Sequence, residues 1–211
     1  MKSFEELNIS RQLLNAMDDL GFATPTPIQE KAIPHILEWR DVLWAAQTWT
    51  GKTAAFAIPT LQILSREKEV SNVSGEIKSL ILTPTRELAI QIEENFIAYG
   101  KNLSLSHCVI FWWVKQHSQV RKLQRWVDIL VATPGRLLDL MNQWFISLRH
   151  IEIFILDEAD RMLNMGFIND VKKVLKVLPQ KKQTLFHKLI SLNQHLSYYH
   201  LYPSHILAYY Q

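Results

Sequence analysis

The sequence predicts an α/β fold, with a parallel sheet covered by helices on both faces. Three observations carry this. Short, nearly unbroken apolar runs recur: Asp41–Ala45, Ser79–Thr83, Leu105–Phe111, Asp128–Ala132 and Ile151–Leu156. Such runs suit strands buried on both faces. Stretches with helical periodicity separate them, which is the alternation of a parallel sheet. Finally, each unusual motif falls where an apolar run ends, and loops at the carboxyl ends of strands carry function in such sheets.

Taken in order, residues 1–24 read as an amphipathic helical lead-in. Ser10 caps a helix carrying Leu13, Leu14, Met17 and Leu20, which ends near Gly21. Pro25-Thr26-Pro27 breaks it, and a helix resumes over Ile28–Leu37 with Ile28, Ala32, Ile33 and Ile36 inward. A strand is expected over 41–47, then a turn, then a helix over 53–64. Residues 65–78 are polar and of mixed charge and read as a surface loop. Ser79–Thr83 is a strand, Arg86–Tyr99 a helix, Leu105–Phe111 a strand and Val114–Gln124 a helix. Asp128–Ala132 is a strand and Arg136–Met141 a helix. Ile151–Leu156 is a strand, Ile168–Leu178 a helix, and Gln183–Phe186 opens a sixth strand. Residues 187–211 break the alternation. They hold four of the eight His, five of the six Tyr and a single charged residue, Lys188, and at most a helix over 189–199 is expected there.

Composition bounds the function classes. A chain of 211 residues with 48% hydrophobic and 20% charged residues is one globular domain of good size. Its formal charge of +3 is a weak pointer to nucleic acid. The single cysteine, Cys108, excludes an internal disulfide framework and is expected in the core of a protein from a reducing compartment. No apolar run is long enough to span a bilayer and none resembles a signal peptide, so a soluble cytoplasmic protein is expected, with no membrane partner.

The chemistry centres on Ala46-Gln47-Thr48-Trp49-Thr50-Gly51-Lys52-Thr53. A strand, a small-residue turn ending Gly-Lys-Thr and a helix form the layout of a phosphate-binding loop. Backbone N–H groups at the helix N-terminus face the phosphates and the helix dipole favours their charge. Lys52 is placed to reach the outer phosphates, and the Thr53 hydroxyl to ligate Mg²⁺. Asp157-Glu158-Ala159-Asp160 follows an apolar strand. There Asp157 suits a metal held through water, and Glu158 a general base or water-orienting group.

With these motifs in hand, the chain resembles the N-terminal RecA-like domain of a bacterial DEAD-box ATP-dependent RNA helicase over residues 4–186. Phe4 and the stretch Gly21–Gln29 resemble the adenine-recognising segment, in which Gln29 reads the base and Phe22 packs beside it. Pro84-Thr85-Arg86-Glu87-Leu88-Ala89 and Thr133-Pro134-Gly135-Arg136 resemble the two segments that grip the RNA backbone, and Trp112-Trp113 stands at a third. The resemblance implies an enzyme that hydrolyses ATP with Mg²⁺ and separates short RNA duplexes without reading sequence. Residues 1–40 carry the adenine segment, 41–186 the RecA-like domain and 187–211 an atypical tail. The residues alone leave two other readings open: a non-catalytic module binding RNA or a protein partner, and a phosphate-loop NTPase acting on something else.

Three departures from the family pattern stand out. The seven tryptophans, Trp39, Trp44, Trp49, Trp112, Trp113, Trp126 and Trp144, fall where relatives carry glycine, and the chain has only 6 glycines. Restoring them brings glycine close to its usual share of about 7%. This pattern is expected if the codon UGA has been translated as Trp in an organism that reads it as Gly. Trp49 is then expected to strain the phosphate loop, and Trp112 and Trp113 to obstruct RNA. After Gln183-Thr184-Leu185-Phe186, His187-Lys188-Leu189 replaces the family's Ser-Ala-Thr, as a frameshift after Phe186 would produce. The family's second RecA-like domain, with its arginines, is absent from these residues.

Overall fold

The computed structural model describes residues 3–45, 51–71, 75–188 and 207–210. Seven strands form one sheet: β1 (Val42–Ala45), β2 (Ser79–Leu82), β3 (His107–Ile110), β4 (Ile129–Ala132), β5 (Ile153–Leu156), β6 (Gln183–Lys188) and β7 (Leu207–Tyr210). Their order is β3-β4-β2-β5-β6-β1-β7, and every neighbouring pair is parallel. The helices are α1 (Arg11–Asp19), α2 (Pro27–Leu37), α3 (Lys52–Ser71), α4 (Arg86–Tyr99), α5 (Gln116–Leu123), α6 (Pro134–Asn142), α7 (Ala159–Asn164) and α8 (Ile168–Val177).

The period-two side-chain alternation of a strand divides the core. Trp44, Ile81, Val131, Ile155 and Leu185 join the residues of α1 to α4 on one face. Leu43, Leu80, Leu82, Cys108, Leu130, Leu156 and Phe186 join those of α5 to α8 on the other. Because both faces are buried, the strands need no polar alternation, which is why they read as continuous apolar runs. Cys108 is a buried free thiol in this core, and burial pushes its pKa up to about 12.

Three elements differ from expectation. The helix after the phosphate loop runs on through 65–71, where a surface loop was expected. Arg66, Glu67, Lys68 and Glu69 are adequate helix formers, and polarity there marks exposure of the helix rather than its end. The six-residue α7 starts directly after Glu158 and is too short to show periodicity. Residues 207–210 add an edge strand beside β1, where no further strand was expected; the helix expected over 189–199 lies outside the described residues.

Candidate active site

Parallel pairing brings the carboxyl ends of the strands to one edge. Thr83 N–H donates to Ala132 O (3.1 Å), Thr133 N–H to Ile110 O (3.2 Å) and Asp157 N–H to Leu82 O (2.9 Å). The segments 111–113, 133–136, 83–86 and 157–158 therefore stand side by side, in the order of β3, β4, β2 and β5. On the far side of β6, Gly51, Lys52 and Thr53 follow β1. Ala46, Gln47, Thr48, Trp49 and Thr50 lie outside the described residues.

On the β5–β1 wing, a cleft of about 370 Å³ is lined by Phe22, Gly51, Lys52, Thr53, Asp157, Glu158 and His187, with Tyr99 and Asn95 of α4 closing one side. Lys52 is the first residue of α3, so it sits at the positive end of the helix dipole. Burial pulls its pKa below the usual lysine value, while Asp157, Glu158 and Asp160 pull the other way. Asp157 is 7% exposed. Its Oδ1 lies 2.6 Å from His187 Nδ1, and Glu158 N–H points at the same nitrogen from 3.5 Å. Glu158 has φ 51 and ψ 49, left-handed backbone, which costs a non-glycine residue about 1–3 kcal/mol and is typical of functional turns. Arg161 Nη1 donates to its Oε2 at 3.1 Å.

Gln29 is fully buried. Its Oε1 accepts from Thr26 N–H at 2.9 Å and its Nε2 donates to Gly51 O at 3.0 Å. The amide thus ties the start of α2 to the end of the phosphate loop. Each end of an amide has a second bonding position. Phe22 meets Tyr99 edge-on at 5.8 Å and Phe4 at 6.5 Å, forming the aromatic side of this region.

The β3–β4–β2 wing holds the other segments. The Thr85 side chain caps α4 by accepting from Leu88 N–H at 3.3 Å, and Pro84 precedes it. The exposed Arg86 guanidinium lies over the Phe111 ring at 5.0 Å. Thr133, Pro134 and Gly135 open α6, and the Thr133 hydroxyl is buried without a hydrogen-bond partner. Arg136 is buried rather than surface-facing. It pairs with Asp139, donates from Nε to Gln119 Oε1 at 3.3 Å and stacks 5.0 Å over Trp112. Gln119 in turn donates to Phe111 O at 2.9 Å, so Arg136 fixes the chain after β3. Trp113 is 92% exposed.

Sequence reasoning missed His187, Tyr99 and Asn95. Tyr99 and Asn95 carry only a helical spacing, and His187 was marked only as a departure from the family's Ser-Ala-Thr, with no sign of its contact with Asp157. Among the described residues, no helix is long and apolar enough to cross a membrane.

A parallel sheet with a Gly-Lys-Thr helix start and an acidic pair in one cleft is the arrangement of an α/β domain of the phosphate-loop class. The model of the DEAD/DEAH box helicase family matches residues 26–187. The chain belongs to that family. It is 41% identical over 185 residues to a DEAD-box ATP-dependent RNA helicase CshA of Bacillus cereus, an alignment covering 88% of this chain and 34% of the relative. It is 42% identical over 182 residues to CshA of Streptococcus pneumoniae, covering 86% of this chain and 34% of that protein. The crystal structure of a DEAD box protein from Methanococcus jannaschii superposes with TM-score 0.89 at 37% identity, over 99% of this chain and 55% of that one. The chain thus spans about a third of the curated relatives' length, and it matches their N-terminal domain. The RecA-like fold expected from the sequence is the fold found.

Proposed function

We propose that this chain is the ATP- and RNA-binding half of an RNA-dependent ATPase that separates short duplexes. The observation that supports it best is the single row of loops at one sheet edge, with Lys52, Asp157 and Glu158 in one cleft and Thr85, Arg86 and Gly135 beside it. Lys52 and the first N–H groups of α3 bind the outer phosphates of ATP. Glu158 orients the attacking water and takes its proton. Gln29 and Phe22 hold the adenine, Gln29 through its second donor and acceptor positions. The N-termini of α4 and α6, with Arg86, bind successive RNA phosphates, so the contact carries no base readout. Arg136 acts by holding that surface in place.

The donor set fits Mg²⁺. No three His, Cys, Asp or Glu side chains gather as a metal site among the described residues. Mg²⁺ uses one or two carboxylates plus phosphate and water rather than a protein cage. Asp157 and Thr53 offer hard oxygens on that pattern, and the ion supplies charge neutralisation at the phosphates.

The family match ends at 187, where the composition also changes. This supports reading the remaining residues as the product of a shifted frame, which sequencing of the gene across the Phe186 codon tests. The functional reading is tested by measuring ATP turnover with and without single-stranded RNA. RNA-stimulated turnover supports it. Binding of RNA without turnover favours a non-catalytic module, and turnover indifferent to RNA favours an NTPase with another substrate.

A further inference from the structure

A helix that ends in a left-handed residue crowds that residue's Cβ against the following carbonyl oxygen, so glycine is strongly preferred there. Four helices of this fold end in the same hydrogen-bonded pattern. After α1, Gly21 N–H bonds Asp18 O (3.0 Å) and Phe22 N–H bonds Met17 O (3.0 Å). After α7, Gly166 N–H bonds Leu163 O (3.0 Å) and Phe167 N–H bonds Met162 O (2.9 Å). After α2, Trp39 N–H bonds Ile36 O and Arg40 N–H bonds His35 O, both at 3.0 Å. After α6, Trp144 N–H bonds Met141 O (2.9 Å) and Phe145 N–H bonds Leu140 O (3.0 Å). The φ angles are 76° and 81° at the two glycines, and 60° and 64° at the two tryptophans.

The same left-handed backbone recurs at Trp113 (φ 72°) and Trp126 (φ 65°). Among the described residues only Asn8 and Glu158 join these four tryptophans as non-glycine residues with positive φ. Asn tolerates that region, and Glu158 stands in the active site; a bulky side chain there is an outlier. Nor does burial compensate. Trp39, Trp113, Trp126 and Trp144 are 45, 92, 62 and 94% exposed, although tryptophan is among the more buried side chains on average. Trp126 also presses on Gly75, where an added Cβ would come within 1.6 Å of its ring. Trp44 and Trp112 are not among the positive-φ residues, and Trp49 lies outside the described residues, so this conformational signal covers four positions.

We infer that the functional protein carries glycine at positions 39, 113, 126 and 144, and that one codon read as tryptophan here is read as glycine in the source organism. Four sites with one backbone requirement and one wrong side chain point to a single change in decoding rather than four independent substitutions. The inference does not rest on the functional reading. Glycine at 113 leaves bare main chain at the tip after β3, where the sequence as written sets an exposed indole.

Peptide mass spectrometry of the protein purified from its source cells reads the four positions directly. Glycine masses at all four are expected; tryptophan at any of them overturns the inference. A physical readout stands beside it. In recombinant protein, Trp39→Gly and Trp144→Gly should each raise the thermal midpoint by roughly 2–4 °C as steric strain is released. The reciprocal Gly21→Trp and Gly166→Trp should lower it. A fall in midpoint for both Trp→Gly variants would show that the fold is adapted to indoles there, and would count against the inference.

Discussion

Two clusters of lysine and carboxylates stand at opposite ends of the same sheet, and of the two only the one at Lys52 stands at a helix N-terminus. At the amino ends of β2 and β5, Lys78 Nζ lies 2.7 Å from Glu152 Oε1 and 3.5 Å from Glu76 Oε2. Burial opposes its charge there, but Glu152 and Glu76 outweigh burial and raise its pKa. At the carboxyl ends, burial outweighs Asp157, Glu158 and Asp160, and the pKa of Lys52 falls. The groove beside Lys78 has a volume of about 720 Å³, larger than the cleft of about 370 Å³ at Lys52. Size therefore does not mark the site. We propose that the site is marked instead by the place of Lys52 at a helix N-terminus, where burial outweighs the carboxylates in setting its pKa and an external phosphate would favour its charge.

The comparison can be broken most severely at Glu158. Glu158→Gln keeps shape and hydrogen bonding but loses the basic carboxylate. In a two-domain protein carrying this chain, RNA-stimulated hydrolysis should fall by about 10²–10⁴-fold with ATP binding retained. Normal turnover would remove Glu158 from the chemistry. Next in size is Lys52→Ala, which should weaken ATP binding about 100-fold, equivalent to about 2.8 kcal/mol by calorimetry. Unchanged affinity would erase the distinction between the two lysines.

At the other end, Lys78→Ala should leave ATP affinity unchanged and cost about 1 kcal/mol of stability, since its ion pairs are partly exposed. A loss of ATP binding in this variant would mean that the clusters are coupled. The smallest effect concerns pH. Burial, with the hydrogen bond and charge of Glu152, raises the pKa of Glu67 from 4.5 to about 7. The folded state therefore holds a proton that the unfolded chain releases. Glu67 contributes stability below about pH 4.5 that is lost as pH rises towards about 7. Glu152, whose pKa is lowered, works in the opposite direction over acid pH. Glu67→Gln should flatten the thermal midpoint between these two pH values, and an unchanged slope would show that the Glu67–Glu152 pair does not share a proton.

Several features were legible in the residues because they depend on local rules. Apolar runs marked five of the seven strands, β1 to β5, since strands buried on both faces leave no polar interruption. Thr85 was legible as the start of α4, and Asp157-Glu158 as an acidic strand end. The glycine deficit and the tryptophan excess were legible as composition, but not which tryptophans matter. That needed φ, which no side-chain pattern reports.

Other features were decided only by the tertiary structure. Arg136 reads as a surface cation, yet packing between α5 and α6 buries it against Asp139, Gln119 and Trp112. Gln29 reads as a base-recognition group, and only the approach of α2 to the phosphate loop reveals its bond to Gly51. His187 read only as a departure from the family's Ser-Ala-Thr until β6, set beside β5, brought its imidazole to Asp157, 30 residues away in sequence. The sequence determined the elements because periodicity, caps and turns act over a few residues. The tertiary structure decided the partners of each charge, because those come from strand order, which brings distant residues together through the packing of the whole sheet.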